Sequence, residues 1–139
     1  TRAGARSRAR GYRGRIAAYE CLNEPNAPEF SGTAADYQAM LAAFERAVRA
    51  ADPAALVVGG VGCPGYVDWT RRIAAEGAAT SMQVLSVHDY HYDSPLRWAE
   101  ARRIPAAAAA IGGALPVWDS ESGYPMPPRD AQGRRRPTP

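Results

Sequence analysis

Ala55-Leu56-Val57-Val58-Gly59-Gly60-Val61 is an unbroken apolar run. It does not alternate polar with apolar residues, and it is too short for a typical helix. A strand of a parallel sheet, covered on both faces, looks like this. Working outward, Asp52-Pro53 closes the segment before it, where 33–51 reads as a helix. Thr33 can cap that helix, with Asp36 three residues on as the acid of a capping box. Tyr37, Met40, Leu41, Phe44 and Val48 recur at three- and four-residue steps on one face. Downstream, Tyr66 to Glu76 is a second helix, with Gly77 placed to end it. Val84 to His88 is a further strand.

The rest of the chain keeps the alternation. Residues 16–23 read as a first strand running into Glu24-Pro25. Arg97 to Ile111 is helical, with Pro105 fitting the first turn of a helix and Gly112-Gly113 ending it. Leu115 to Ser120 is the last strand, running into Glu121. Residues 1–15 read as the end of a preceding helix, and 125–139 as loop or disordered tail. The pattern over 16–124 is βαβαβαβ within a single unit, so the fold class is α/β with a parallel sheet and right-handed crossovers. Two architectures fit: an open doubly wound sheet or part of a (β/α)8 barrel.

Composition narrows the function. The chain has 139 residues, formal charge +3, 46% hydrophobic and 22% charged residues, enough apolar material for a core. No apolar run approaches ~18 residues, so no membrane partner is expected. No segment pairs a basic stretch with an apolar core as a signal peptide does. There is no lysine, and the arginines gather at Arg2 to Arg15 and Arg129 to Arg136. Residues 16–128 are close to neutral and offer no basic face, so no nucleic-acid partner is expected. Cys21 and Cys63 form no C-x-x-C pair and read as two thiols in apolar surroundings, with a disulfide between them open. Gly59-Gly60-Val61-Gly62 follows a strand without opening a helix as a phosphate loop does, and reads as a tight turn.

In both architectures the chemistry sits at the carboxyl ends of the strands. The four ends are Asn23-Glu24-Pro25-Asn26, Gly60-Val61-Gly62-Cys63, His88-Asp89-Tyr90-His91-Tyr92 and Asp119-Ser120-Glu121-Ser122-Gly123. Carboxylates, imidazoles and phenols collect at one rim. Glu24 and Glu121 stand three βα steps apart, a spacing that lets two side chains face each other across a barrel mouth. Paired carboxylates are what glycosidic bond cleavage needs: one protonates the leaving oxygen and the other attacks the sugar carbon. Asn23 and Glu24 have opposite strand parity, so both reach one site only where the strand bends or bulges. Glu20 is charged inside a strand and calls for a partner. Tyr92 and Tyr124, then Trp118, Tyr66 and Trp98, are aromatic residues that could stack on sugar rings.

Tyr19-Glu20-Cys21-Leu22-Asn23-Glu24-Pro25-Asn26 resembles the Y-E-x-x-N-E-P-N segment of the clan A retaining glycoside hydrolases. Those are (β/α)8 enzymes with catalytic glutamates after strands four and seven. The flavour is that of glycoside hydrolase family 39, with family 5 cellulase-like enzymes close behind. Residues 51–60 resemble the passage into strand five, Val84 to Tyr90 strand six with its H-x-Y, and Leu115 to Tyr124 strand seven with its E-x-G. The resemblance covers roughly residues 10–125. It implies a partial (β/α)8 TIM barrel, strands 4 to 7 with their intervening helices.

It also implies roles. Glu24 is the general acid/base and Glu121 the nucleophile of a double displacement on β-linked poly- or oligosaccharides. Asn23 holds the sugar 2-hydroxyl, Tyr90 donates a hydrogen bond to Glu121, and His88, Tyr92 and Tyr124 line the substrate site. Neither metal nor organic cofactor is implied, because acid and nucleophile are both side chains. Glu20 is then expected to pair with an arginine on a strand outside this chain. The substrate class is compatible with a secreted or periplasmic address, and no oligomeric state follows. Ser120 stands where threonine is common, Cys21-Leu22 replaces V-W, and a whole barrel takes about 250 residues. A non-catalytic carbohydrate-binding or scaffold protein built on the same barrel, or an inert half-barrel, is the alternative.

Overall fold

Thr33 starts the first helix through a reciprocal cap. Asp36 N–H donates to Thr33 Oγ1 at 3.2 Å, and the Asp36 carboxylate accepts from the Thr33 N–H at 2.8 Å. Helix α1, Ala34–Ala51, then buries Tyr37, Leu41, Ala47, Val48 and Ala51. Met40 and Phe44, expected on the same face, pack at its margin half-buried. The computed structural model describes residues 11–63, 65–90 and 103–123. Over these, α1 is followed by α2, Tyr66–Ala75, by a 3₁₀ turn at Ala78–Ser81 and by α3, Arg103–Ala110. Pro105 lies in the first turn of α3, where a missing N–H costs least. Among the described residues no helix is long and apolar enough to cross a membrane.

The strands are β1, Ala18–Glu20; β2, Leu56–Gly62; β3, Val84–Tyr90; and β4, Val117–Gly123. All pair in parallel, in the spatial order β1-β2-β3-β4. Spatial order follows chain order without reversal. Each crossover of one hand therefore returns on the same side, and the helices cover one face only. A doubly wound sheet needs a reversal of strand order to place helices on both faces. Four parallel strands alternating with helices on one side form a half-barrel.

The core lies between sheet and helices. Val57, Leu85 and Val87 point into it and meet Tyr37, Leu41 and Val48 of α1 and Tyr66, Trp69 and Ile73 of α2. By strand alternation Ser86, His88 and Tyr90 then face the concave inner side. The glycines of β2 serve this packing. A Cβ on Gly62 would lie 2.6 Å from Tyr66 Cβ, and one on Gly60 2.4 Å from a Leu85 methyl. Gly60 has φ +86° and Val61 φ +43°, and the β2–β3 register shifts between Gly59 and Gly62. The Gly60 N–H donates to the Tyr37 hydroxyl (2.8 Å), and its carbonyl accepts from Trp69 Nε1 (3.0 Å). Two core aromatics thus satisfy a backbone group buried at a distorted strand end.

Element ends differ from the sequence expectation for local reasons. β1 stops at Glu20 rather than 23, because Leu22 (φ +56°) and Glu24 (φ +44°) leave the extended region. β3 runs on to Tyr90, which gives β4 partners as far as Gly123. β4 begins at Val117 and is exposed along most of its length, with Trp118 41% accessible. Residues 1–10, the start of the third expected helix (97–102) and the tail 125–139 lie outside the described residues.

Candidate functional site

Glu24 reaches the rim through the bend that ends β1. Its left-handed backbone is costly for a non-glycine residue, about 1–3 kcal/mol, and such strain is held in place by the surrounding structure. Asn26, two residues on, supplies part of that hold. Its Nδ2 donates to the Cys63 carbonyl at 3.1 Å, and its Oδ1 accepts from the Cys63 N–H at 2.9 Å. One side chain thereby ties the loop after β1 to the loop after β2. The short polar tip of asparagine can do this because it carries both donor and acceptor.

His88, on the inner face of β3, is buried and meets the Glu24 carboxylate with Nδ1 at 2.9 Å. The same nitrogen lies 3.6 Å from Glu121 Oε2. Tyr90, one step further along the same face, donates its hydroxyl to Glu121 Oε1 at 2.5 Å. Ligand atoms of Glu24, His88 and Glu121 all lie within 4.8 Å of one another. One oxygen of each glutamate therefore approaches the other to within that distance, around the edge of a buried imidazole. Side-chain exposure is 28% for Glu24 and 47% for Glu121, so both carboxylates open toward the concave side. The same three residues could hold a divalent metal ion, as one imidazole and two carboxylate donors.

Of the residues singled out from sequence, Glu24, His88, Tyr90 and Glu121 come together. Asn23 sits on the exposed turn between Leu22 and Glu24. Tyr92 and Tyr124 lie outside the described residues, as does Trp98. Trp118 is exposed on the inner side of β4. Tyr66 does not line the rim: it opens α2 and is buried behind the sheet. Burial and the nearby Asp89 carboxylate push its hydroxyl pKa up, against the opposing charge of Arg103. The cysteines are free thiols. Burial pushes Cys21 up to about 12, while Cys63 is raised by burial and then by the charge of Glu24.

Three residues make contacts at the site that the sequence pattern does not assign. Asn26 stands in the N-E-P-N segment, where the pattern gives it no role. Ser86 and Ser120 meet Oγ to Oγ at 2.6 Å, and Ser120 donates to Glu20 Oε1 at 3.0 Å. Among the described residues Glu20 thus finds a partner in Ser120. The signal was present in Ser86, the one polar residue in Val84-Leu85-Ser86-Val87.

No protein-family model and no curated protein matches the sequence. Solved structures do match in shape. A glycoside hydrolase family 39 β-xylosidase from Caulobacter crescentus superposes with a TM-score of 0.70 at 20% identity, over 94% of this chain and 31% of that one. The family 39 enzyme from Xanthomonas axonopodis pv. citri gives 0.72 at 20% identity, over 93% and 31%. An α-L-arabinofuranosidase from Thermotoga maritima gives 0.63 at 16% identity, over 80% and 26%. The chain thus spans about a third of the length of the family 39 structures it matches. Its fold is that of part of a (β/α)8 barrel of the kind these glycosidases have.

Proposed function

We propose that these residues form the acid- and nucleophile-bearing part of a retaining glycoside hydrolase acting on β-linked oligo- or polysaccharides. The observation that carries this reading is the approach of Glu24 and Glu121 to within 4.8 Å on the open inner face. Retaining enzymes hold their carboxyl groups about 5–5.5 Å apart, whereas inverting ones leave about 6.5–9.5 Å for a water molecule. The short approach favours direct attack by one carboxylate on the sugar.

In this reading Glu24 protonates the glycosidic oxygen while Glu121 attacks the anomeric carbon. The leaving group departs with the proton, and a glycosyl ester forms on Glu121. Glu24, now ionised, takes a proton from water, which attacks the same carbon and frees Glu121. Tyr90 and His88 orient the two carboxylates, each through the contact already described. Asn23 is assigned the 2-hydroxyl by resemblance alone.

The test is hydrolysis of an aryl β-glycoside by the complete protein. Glu121→Gln keeps the shape of the side chain but removes the nucleophile, and turnover should fall by at least about 10⁴-fold. Added azide should not restore activity to Glu121→Gln with retained stereochemistry. A Glu121→Gln protein as active as the wild type removes the nucleophile assignment.

A further inference from the structure

Ser120 and Glu121 are neighbours in β4, yet both side chains act on the inner face. Ser120 meets Ser86, and Glu121 meets Tyr90 and His88. Ser86, His88 and Tyr90 occupy alternate positions on one side of β3. In a regular strand consecutive side chains point to opposite faces, so one of the pair should be turned toward the helices. The register explains the exception. Val87 pairs with Asp119 and His88 with Glu121, so Ser120 is an extra residue in β4. That bulge turns Glu121 inward.

The extra residue is held from two directions. Ser120 Oγ donates its only proton to Glu20 Oε1 (3.0 Å), so in the 2.6 Å contact Ser86 is the donor and Ser120 the acceptor. The chain of hydroxyls ends on a carboxylate, which makes its last link charge-assisted. Glu20 belongs to β1, and β1 and β4 are not neighbours: β2 and β3 lie between them. The bond therefore spans the inside of the curled sheet like a chord. Glu24 follows the same β1 that anchors one end of this chord, and Glu121 follows the residue that anchors the other.

We propose that Glu20 and Ser120 are positioning residues: with Ser86 they pin the β4 bulge and the curl of the sheet at the width that sets Glu24 and Glu121 face to face. The kinetic part of this inference rests on the glycosidase reading above. The geometric part does not.

The experiment uses Glu20→Met, Ser120→Ala, the double variant and Ser120→Thr in the complete protein. Crystal structures should show the Glu24–Glu121 approach widened by about 1 Å in either single variant. Misplacement on that scale lowers kcat by about 10- to 100-fold on an aryl β-glycoside, with KM within about two-fold. The double variant should be no worse than the poorer single one, because both cut the same chord. Ser120→Thr keeps the hydroxyl and should keep both separation and kcat. Unchanged separation in both single variants overturns the proposal, as does a Ser120→Thr protein that behaves like Ser120→Ala. Should Glu20→Met not fold, the comparison of Ser120→Ala with Ser120→Thr decides. A wild-type protein without turnover sinks the glycosidase reading, and the crystallographic separations then decide this inference alone.

Discussion

Gly123 shows how little room the site leaves. A Cβ there would stand 3.1 Å from Tyr90 Cε1, close enough to push the ring by a few tenths of an ångström. The Tyr90 hydroxyl is the donor to Glu121, so the glycine of E-x-G protects a contact two residues away. We expect Gly123→Ala to fold normally, by circular dichroism, and to lose up to about ten-fold in kcat through displacement of that donor. Full activity in Gly123→Ala would show that the ring can yield without disturbing Glu121. His88 illustrates a second residue-scale point. A histidine on an apolar strand is often merely satisfied, but this one is buried with Glu24 at 2.9 Å and Glu121 at 3.6 Å from a single nitrogen. Its place in the strand was readable, whereas the partners it serves required coordinates.

Among elements, α1 carries the clearest electrostatic signature. The Thr33 N–H and hydroxyl both donate to the Asp36 carboxylate and hold its pKa below the ordinary 3.8. A carboxyl depressed in the folded state stabilises it above the unfolded pKa, and that contribution fades as pH falls through the folded value. A peptide of residues 31–53 should therefore lose helicity as pH drops below about 3.8. Thr33→Ala should weaken the helix by about 1 kcal/mol at neutral pH, whereas Asp36→Asn, which removes the titrating carboxyl, should flatten that acid dependence. The Asp36→Asn peptide keeps every other carboxyl of the segment, so the difference in circular dichroism isolates the cap. Equal acid dependence in the wild-type and Asp36→Asn peptides would overturn the assignment to the cap. The helix was legible because its cap, stripe and stop lie within one short stretch. The shift at the end of β2 was not, because Gly60 and Val61 take left-handed backbone only where Tyr37 and Trp69 satisfy the Gly60 peptide groups.

Across the molecule, the half-barrel has one well-covered face and one open one. β2 and β3 are buried, whereas β4 is exposed along most of its length and, like β1, has a single neighbour among the described strands. An unpaired strand edge is a template for further pairing. The 139-residue chain on its own should therefore associate at about 10–100 µM, seen as a concentration-dependent sedimentation coefficient. A monomer that melts in one cooperative step would show that the edges are protected by the chain itself.

Short-range patterning was enough to expect an α/β chain with parallel strands, the bounds of α1 and α2, and a place at or just beyond strand ends for Glu24, His88, Tyr90 and Glu121. Apolar periodicity and capping residues act over a few positions, and those positions are adjacent in the chain. The choice between barrel and doubly wound sheet was different in kind. It depends on the spatial order of the strands, and in this chain it became visible in a bond between Glu20 and Ser120, a hundred positions apart. The inward turn of Glu121 likewise depends on how β4 aligns with β3, where an extra residue reverses the strand alternation that sequence alone would assign. Register and curvature come from packing between distant segments, and no local stretch of residues encodes them.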